Sequence, residues 1–80
     1  MVVKMNESAL ENYGEKWRGV PLRVTHVATK YMPASQFYAQ GMPEGYHPGY
    51  QPGGGPLYDL QVVTTGEALP FSLYRWEVTL

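Results

Sequence analysis

Residues 57–80, LYDLQVVTTGEALPFSLYRWEVTL, decide the fold. In LYDLQVV (57–63), Tyr58, Leu60 and Val62 alternate with Asp59 and Gln61, the two-residue period of a half-buried strand. In FSLYRWEVTL (71–80), Tyr74, Trp76, Val78 and Leu80 oppose Leu73, Arg75, Glu77 and Thr79. That alternation predicts a second strand with Trp76 in the core. Between the two runs, Gly66 supplies turn geometry and Pro70 is best kept out of a central strand. The pair reads as a hairpin.

Upstream, VPLRVTHVATK (20–30) is rich in β-branched residues and gives a third strand. Leu22, Val24, His26 and Ala28 fall on one face, and Arg23, Thr25, Val27 and Thr29 on the other. NESALENYG (6–14) reads as a short helix. Asn6 can cap its first turn, Glu7 favours the positive end of its dipole, and Gly14 suits its termination. Leu10 and Tyr13 share the face that must lie on a sheet, because two turns are too few to stand alone. Met1–Met5 is a candidate for a further short strand.

Residues 31–56, YMPASQFYAQGMPEGYHPGYQPGGGP, form a long connection with six of the nine glycines and five of the seven prolines. Pro33 and Gly41 bracket a segment suited to one or two helical turns. Beyond it, GYHP (45–48) and GYQP (49–52) are a tandem repeat. A connection of this length is functional or disordered. The fold expected is one mainly β domain over 1–80, a small SH3-like partial barrel of short antiparallel strands with an N-terminal helix. The alternative is an α+β open sheet with one packed helix.

Composition narrows the function. Eighty residues allow one small domain. A net charge of −1 removes the uniformly basic surface of a dedicated duplex-DNA binder. The absence of cysteine excludes disulfides, thiolate zinc sites and a cysteine nucleophile. With no long apolar run and no signal-like N-terminus, a cytoplasmic protein away from the membrane is expected.

Chemistry-bearing constellations are few. His26, His47 and Asp59 could in principle meet around a metal, yet no HxxxH, HxH or Glu-xx-His spacing is present. His26 reads as a strand histidine satisfied by a neighbour, and His47 as a turn residue stacked on Tyr46 or Tyr50. Asp59 and Glu77 are expected to pair with Arg75 across strands. Ser8, Ser35 and Ser72 lack a GxSxG setting, and PGGGP (52–56) lacks the lysine and helix of a phosphate loop. The reading is therefore non-enzymatic, with no cofactor and no metal site.

Charge and aromatics are uneven. Residues 16–30 carry Lys16, Arg18, Arg23 and Lys30 with no acid, whereas residues 31–80 carry a net −3. The basic strip beside tyrosines could hold a single nucleic-acid strand, although four cations make a small phosphate footprint and pairing with Glu11 and Glu15 is favoured. Tyr31, Phe37, Tyr38, Tyr46 and Tyr50 fall within twenty residues. Such rings either form a contact surface or fold back to plug the barrel.

The pieces ALENYGEKWRG, VTHVA, YHPGY, LYDL and PFSLYRWEV together resemble a group of small bacterial proteins. The resemblance implies an origin among accessory or mobile genes, including gene cassettes, and brings no assigned activity and no catalytic residue. Where related patterns lead us to expect Asp after HPGY, this chain has Gln51. The leading expectation is a binding module that offers Tyr46, His47, Tyr50 and Tyr31 to a protein partner or to a second copy, as a dimer. Single-stranded nucleic acid on Lys16, Arg18, Arg23 and Lys30, or a small-molecule site at a subunit interface, are the alternatives.

Overall fold

Asn6 begins the first helix by accepting the Ala9 N–H on its Oδ1 at 3.1 Å, as a capping side chain should. The computed structural model describes residues 1–80 and contains six strands, two α-helices and two 3₁₀ turns. In chain order these are β1 (Val2–Met5), α1 (Glu7–Tyr13), a 3₁₀ turn (Glu15–Trp17), β2 (Leu22–Tyr31) and α2 (Ala34–Ala39). There follow β3 (Gly45–His47), β4 (Leu57–Val62), β5 (Leu73–Tyr74), a second 3₁₀ turn (Arg75–Glu77) and β6 (Val78–Thr79). No helix is long and apolar enough to cross a membrane.

The sheet is mainly antiparallel and open, with the path β5-β4-β2-β1-β6. Strand β3 lies parallel to the far end of β2, with Lys30 opposite Tyr46 and Tyr31 opposite His47. No pairing joins β5 to β6, so the architecture takes the open-sheet form rather than a closed barrel. It is nevertheless curled. Only Arg75–Glu77 separate the two outer strands, and the step from Tyr74 to Val78 spans at most about 14 Å of chain. A flat five-strand path would set its edges about 19 Å apart.

Inside the curl lies a core of Val3, Met5, Ala9, Leu10, Leu22, Tyr58, Leu60, Leu73 and Val78. Tyr13, Trp17 and Phe71 close one side, with Tyr13 stacked on Phe71 at 3.9 Å between centroids. Burial of the Tyr13 phenol, followed by the nearby Glu77 carboxylate, pushes its pKa up. Ala28, Met32, Phe37 and Leu57 are also buried, outside that cluster.

Three expectations from the sequence are corrected. Residues 71–80 are not one strand: the 3₁₀ turn breaks the alternation, so Trp76 is 57 % exposed and Leu80 79 % exposed, while Glu77 is only 5 % exposed. Glu77 turns inward because its Oε1 accepts the Tyr74 N–H at 2.9 Å, closing the turn over its own side chain. Arg75 pairs with neither Asp59 nor Glu77, and its Nη1 donates to the Val78 carbonyl at 3.2 Å. Finally, the 31–56 connection holds the expected short helix but also β3, a three-residue strand without an alternation of its own.

Candidate functional site

β2 carries His26 opposite Asp59 of β4, next to a bulge between Val24 and His26. His26 Nε2 lies 2.9 Å from the Tyr46 carbonyl oxygen and donates to it, tying β2 to β3. The other ring nitrogen stands 3.9 Å from Glu44 Oε1. His26 is therefore the satisfied strand histidine that its sequence context suggests.

His47 ends β3 and enters the tight Gly/Pro turn. Its Nδ1 accepts the Gly49 N–H at 2.8 Å, which places the ring proton on Nε2, 3.3 Å from Asp59 Oδ1. The same carboxylate oxygen accepts the Ser72 hydroxyl. The rings of His26 and Phe37 lie 6.4 and 5.8 Å from His47. This corrects the expected stacking of His47 on Tyr46 or Tyr50: the imidazole turns toward Asp59 and Phe37 instead. His26, His47 and Asp59, a trio set aside as a metal site for want of ligand spacing, lie near one another, and no group of three His, Cys, Asp or Glu side chains that could hold a metal ion is present.

Beside this network opens a cavity of about 360 Å³ lined by His47, Gly49, Gln51, Leu57, Pro70, Phe71, Ser72 and Tyr74. The loop 49–56 is fastened to it at Tyr74, whose hydroxyl accepts the Gln51 N–H at 3.0 Å. Gly54 lies flat on the same ring: a Cβ there would stand 2.6 Å from Tyr74 Cε1. Tyr50 leans on Tyr74 at 6.4 Å, and Tyr74 stacks with exposed Trp76 at 6.4 Å and 7° between planes. The result is a row of three rings that runs from the loop past the cavity wall to an open indole.

Of the residues named for partner contact, His47 and Tyr50 belong to this face. Tyr46 is half-buried under the Lys30 ammonium, 5.7 Å from its ring centroid, and Tyr31 is exposed at the end of β2. The basic strip is divided among local partners. Arg18 bonds both Glu7 and Glu15, at 2.8 and 2.6 Å, and holds both carboxyls below the usual carboxylate range, chiefly by hydrogen bonding. Glu11 is not among its partners. Lys16 lies over the Trp17 ring, and Arg23 is exposed on β2 beside β1.

Ser72, Phe71, Tyr74 and Trp76 were not singled out as a site by their sequence context. The signal available was the density of aromatic residues in FSLYRW (71–76), which alternation assigned to a strand. No family model, no curated protein and no solved structure matches this chain.

Proposed function

We propose that this chain is a non-enzymatic binding module whose contact face combines the 47–51 turn, the 71–74 segment and Trp76, and that its partner is a protein. The observation that carries this reading is the ring row Tyr50–Tyr74–Trp76, which ends in an exposed indole beside an open cavity. Large rings on a stiff mount around a pocket are the anatomy of an interface hot spot, because they bury area with little loss of rotamer freedom. The mount is stiff here: Pro48 and Pro52 restrain the backbone, and Tyr74 anchors Gln51.

Catalysis by the polar network is disfavoured by its wiring. A serine nucleophile gives its proton to a histidine that a carboxylate orients. In this site the Ser72 hydroxyl donates to Asp59 rather than to a histidine, and His47 Nδ1 is taken by the Gly49 N–H while Nε2 stands 3.3 Å from Asp59. No base faces the hydroxyl in a relay.

Capture from a host extract with wild-type protein and with Trp76→Ala, followed by titration of the purified partner, tests this reading. Trp76→Ala is expected to weaken the partner by about 2 kcal/mol or more without loss of folding. Undiminished affinity overturns it. If the partner is a second copy, light scattering shows a dimer that Trp76→Ala dissociates.

A further inference from the structure

On the polar wall of the cavity, Ser72 presents a hydrogen-bond acceptor. Ser72 donates its only hydroxyl proton to Asp59, so the lone pairs of its Oγ are what remain for the cavity it lines. His47 Nε2 stands 3.3 Å from the same carboxylate, and its Nδ1 is taken by the Gly49 N–H. Asp59 thus stands directly behind two lining residues, half-buried, with the Ser72 hydroxyl bonded to its carboxylate and no lysine or arginine paired with it.

No lysine or arginine lines the cavity. The cations nearest in sequence are engaged elsewhere, Arg75 at the Val78 carbonyl and Lys30 over the Tyr46 ring. The other wall is aromatic, with Phe71 and Tyr74, and Tyr74 continues into Trp76. Ring faces carry negative quadrupole density and attract a cation within about 6 Å of the centroid. A carboxylate with no lysine or arginine paired to it, the free lone pairs of Ser72, and an aromatic wall whose rings are covered on one side by Tyr13 and Gly54 together favour positive charge. The excess of acid over base in residues 31–80, a net −3, acts in the same direction at longer range.

We infer that this cavity receives a basic side chain, the ammonium or guanidinium of a lysine or arginine presented by the protein partner. The inference rests on the binding-module reading and adds the chemistry of the group that enters. Anionic groups are rejected by Asp59, and neutral polar groups forgo the charge-assisted component.

The test is a two-dimensional amide NMR titration of the wild-type protein with four probes. Nα-acetyl-lysine amide and Nα-acetyl-arginine amide carry the charge, and Nα,Nε-diacetyl-lysine amide and Nα-acetyl-citrulline amide are their neutral counterparts. The cationic probes are expected to shift the Gly49 and Ser72 amides saturably in the millimolar range. The neutral probes should bind roughly tenfold more weakly or worse. Added salt weakens the cationic probes, as screening requires. Asp59→Asn is expected to bring cationic and neutral probes to similar affinity. Equal binding of charged and neutral probes by the wild type, or no shift at these amides up to about 50 mM, overturns the inference. Because these controls use the unaltered protein, the result does not depend on how Asp59→Asn folds. Loss of the cation preference with Trp76-dependent partner capture intact removes this inference alone, whereas loss of that capture removes the reading beneath it.

Discussion

Trp76 shows how one residue can be misplaced by a correct periodicity. Its neighbours alternate as a strand, but Glu77 bonds the Tyr74 N–H and winds Arg75–Glu77 into a 3₁₀ turn, which throws the indole outward. Trp76→Ala is therefore expected to shift stability by no more than about 0.5–1 kcal/mol, measured as a urea midpoint, instead of the ~3–5 kcal/mol of a core aromatic. Gly54 gives a complementary case. Its φ is unremarkable, yet an alanine methyl would occupy the volume of the Tyr74 ring. Gly54→Ala should push Tyr74 and the 51–54 segment apart, displacing the Gln51 and Trp76 resonances in an amide and side-chain NMR comparison while the Leu22 and Leu60 amides stay in place. Unmoved Gln51 and Trp76 signals would show that the loop does not rest on the ring.

At the scale of elements, the short 3₁₀ turn is held from two directions. Asn6 caps α1 through Oδ1, and its Nδ2 donates to the Trp76 carbonyl at 2.6 Å, while its own N–H donates to the Glu77 carbonyl at 3.0 Å. Removing the side chain severs both the cap and the tie to the turn. Asn6→Ala should cost about 1–2 kcal/mol, and calorimetry can check it; a loss near zero would detach α1 from the placement of Trp76. The Glu7–Arg18–Glu15 cluster joins α1 to the first 3₁₀ turn in another way. Arg18 lowers the pKa of both carboxyls in the folded chain, by hydrogen bonding first and charge second in Glu7. Their contribution is thus present above the ordinary carboxylate range and is lost as pH falls through the lowered folded values. The stability gap between wild type and Arg18→Met, followed by urea unfolding, should therefore hold from neutral pH down to the ordinary carboxylate range and narrow as pH falls below about 4.5. A gap that is constant or widens in acid contradicts the cluster. All three side chains are exposed, so salt should narrow it as well.

For the molecule as a whole, the decisive feature is that Leu73 and Val78, separated by only the four residues Tyr74–Glu77, enter one core from opposite edges of the sheet. Leu73 is fully buried and contributes nothing to any exposed surface. Leu73→Ala should cost about 2–5 kcal/mol, a large share of the ~5–15 kcal/mol that holds an ordinary domain. Thermal unfolding followed by the indole N–H NMR signals would register this as a fall in midpoint, with the Trp17 and Trp76 native signals lost together. A change confined to Trp76 would mean that the two edges unfold separately and that the curl is not one cooperative unit.

Local patterns in the sequence were sufficient for the helix start at Asn6, for strands β2 and β4, for the hairpin between β4 and β5 and for the short helix after Pro33. Capping chemistry, alternation and turn residues act within a few positions, so they can be read along the chain. The same patterns fail where partners lie far apart in sequence. β3 has three residues and no alternation, and it exists because the β2 backbone offers it a parallel edge. His47 turns to Asp59 and Ser72 because β3, β4 and the 63–72 loop converge there, twelve or more positions apart. Glu77 is buried because the second 3₁₀ turn folds back on the Tyr74 N–H, while Trp76 emerges beside a cavity that the 49–56 loop completes. Residue types supplied the aromatic rings, the histidines and the carboxylate of the candidate site. Only long-range pairing, which sends two strands three residues apart in the chain to opposite edges of a curled sheet, decided which of them meet and which face outward.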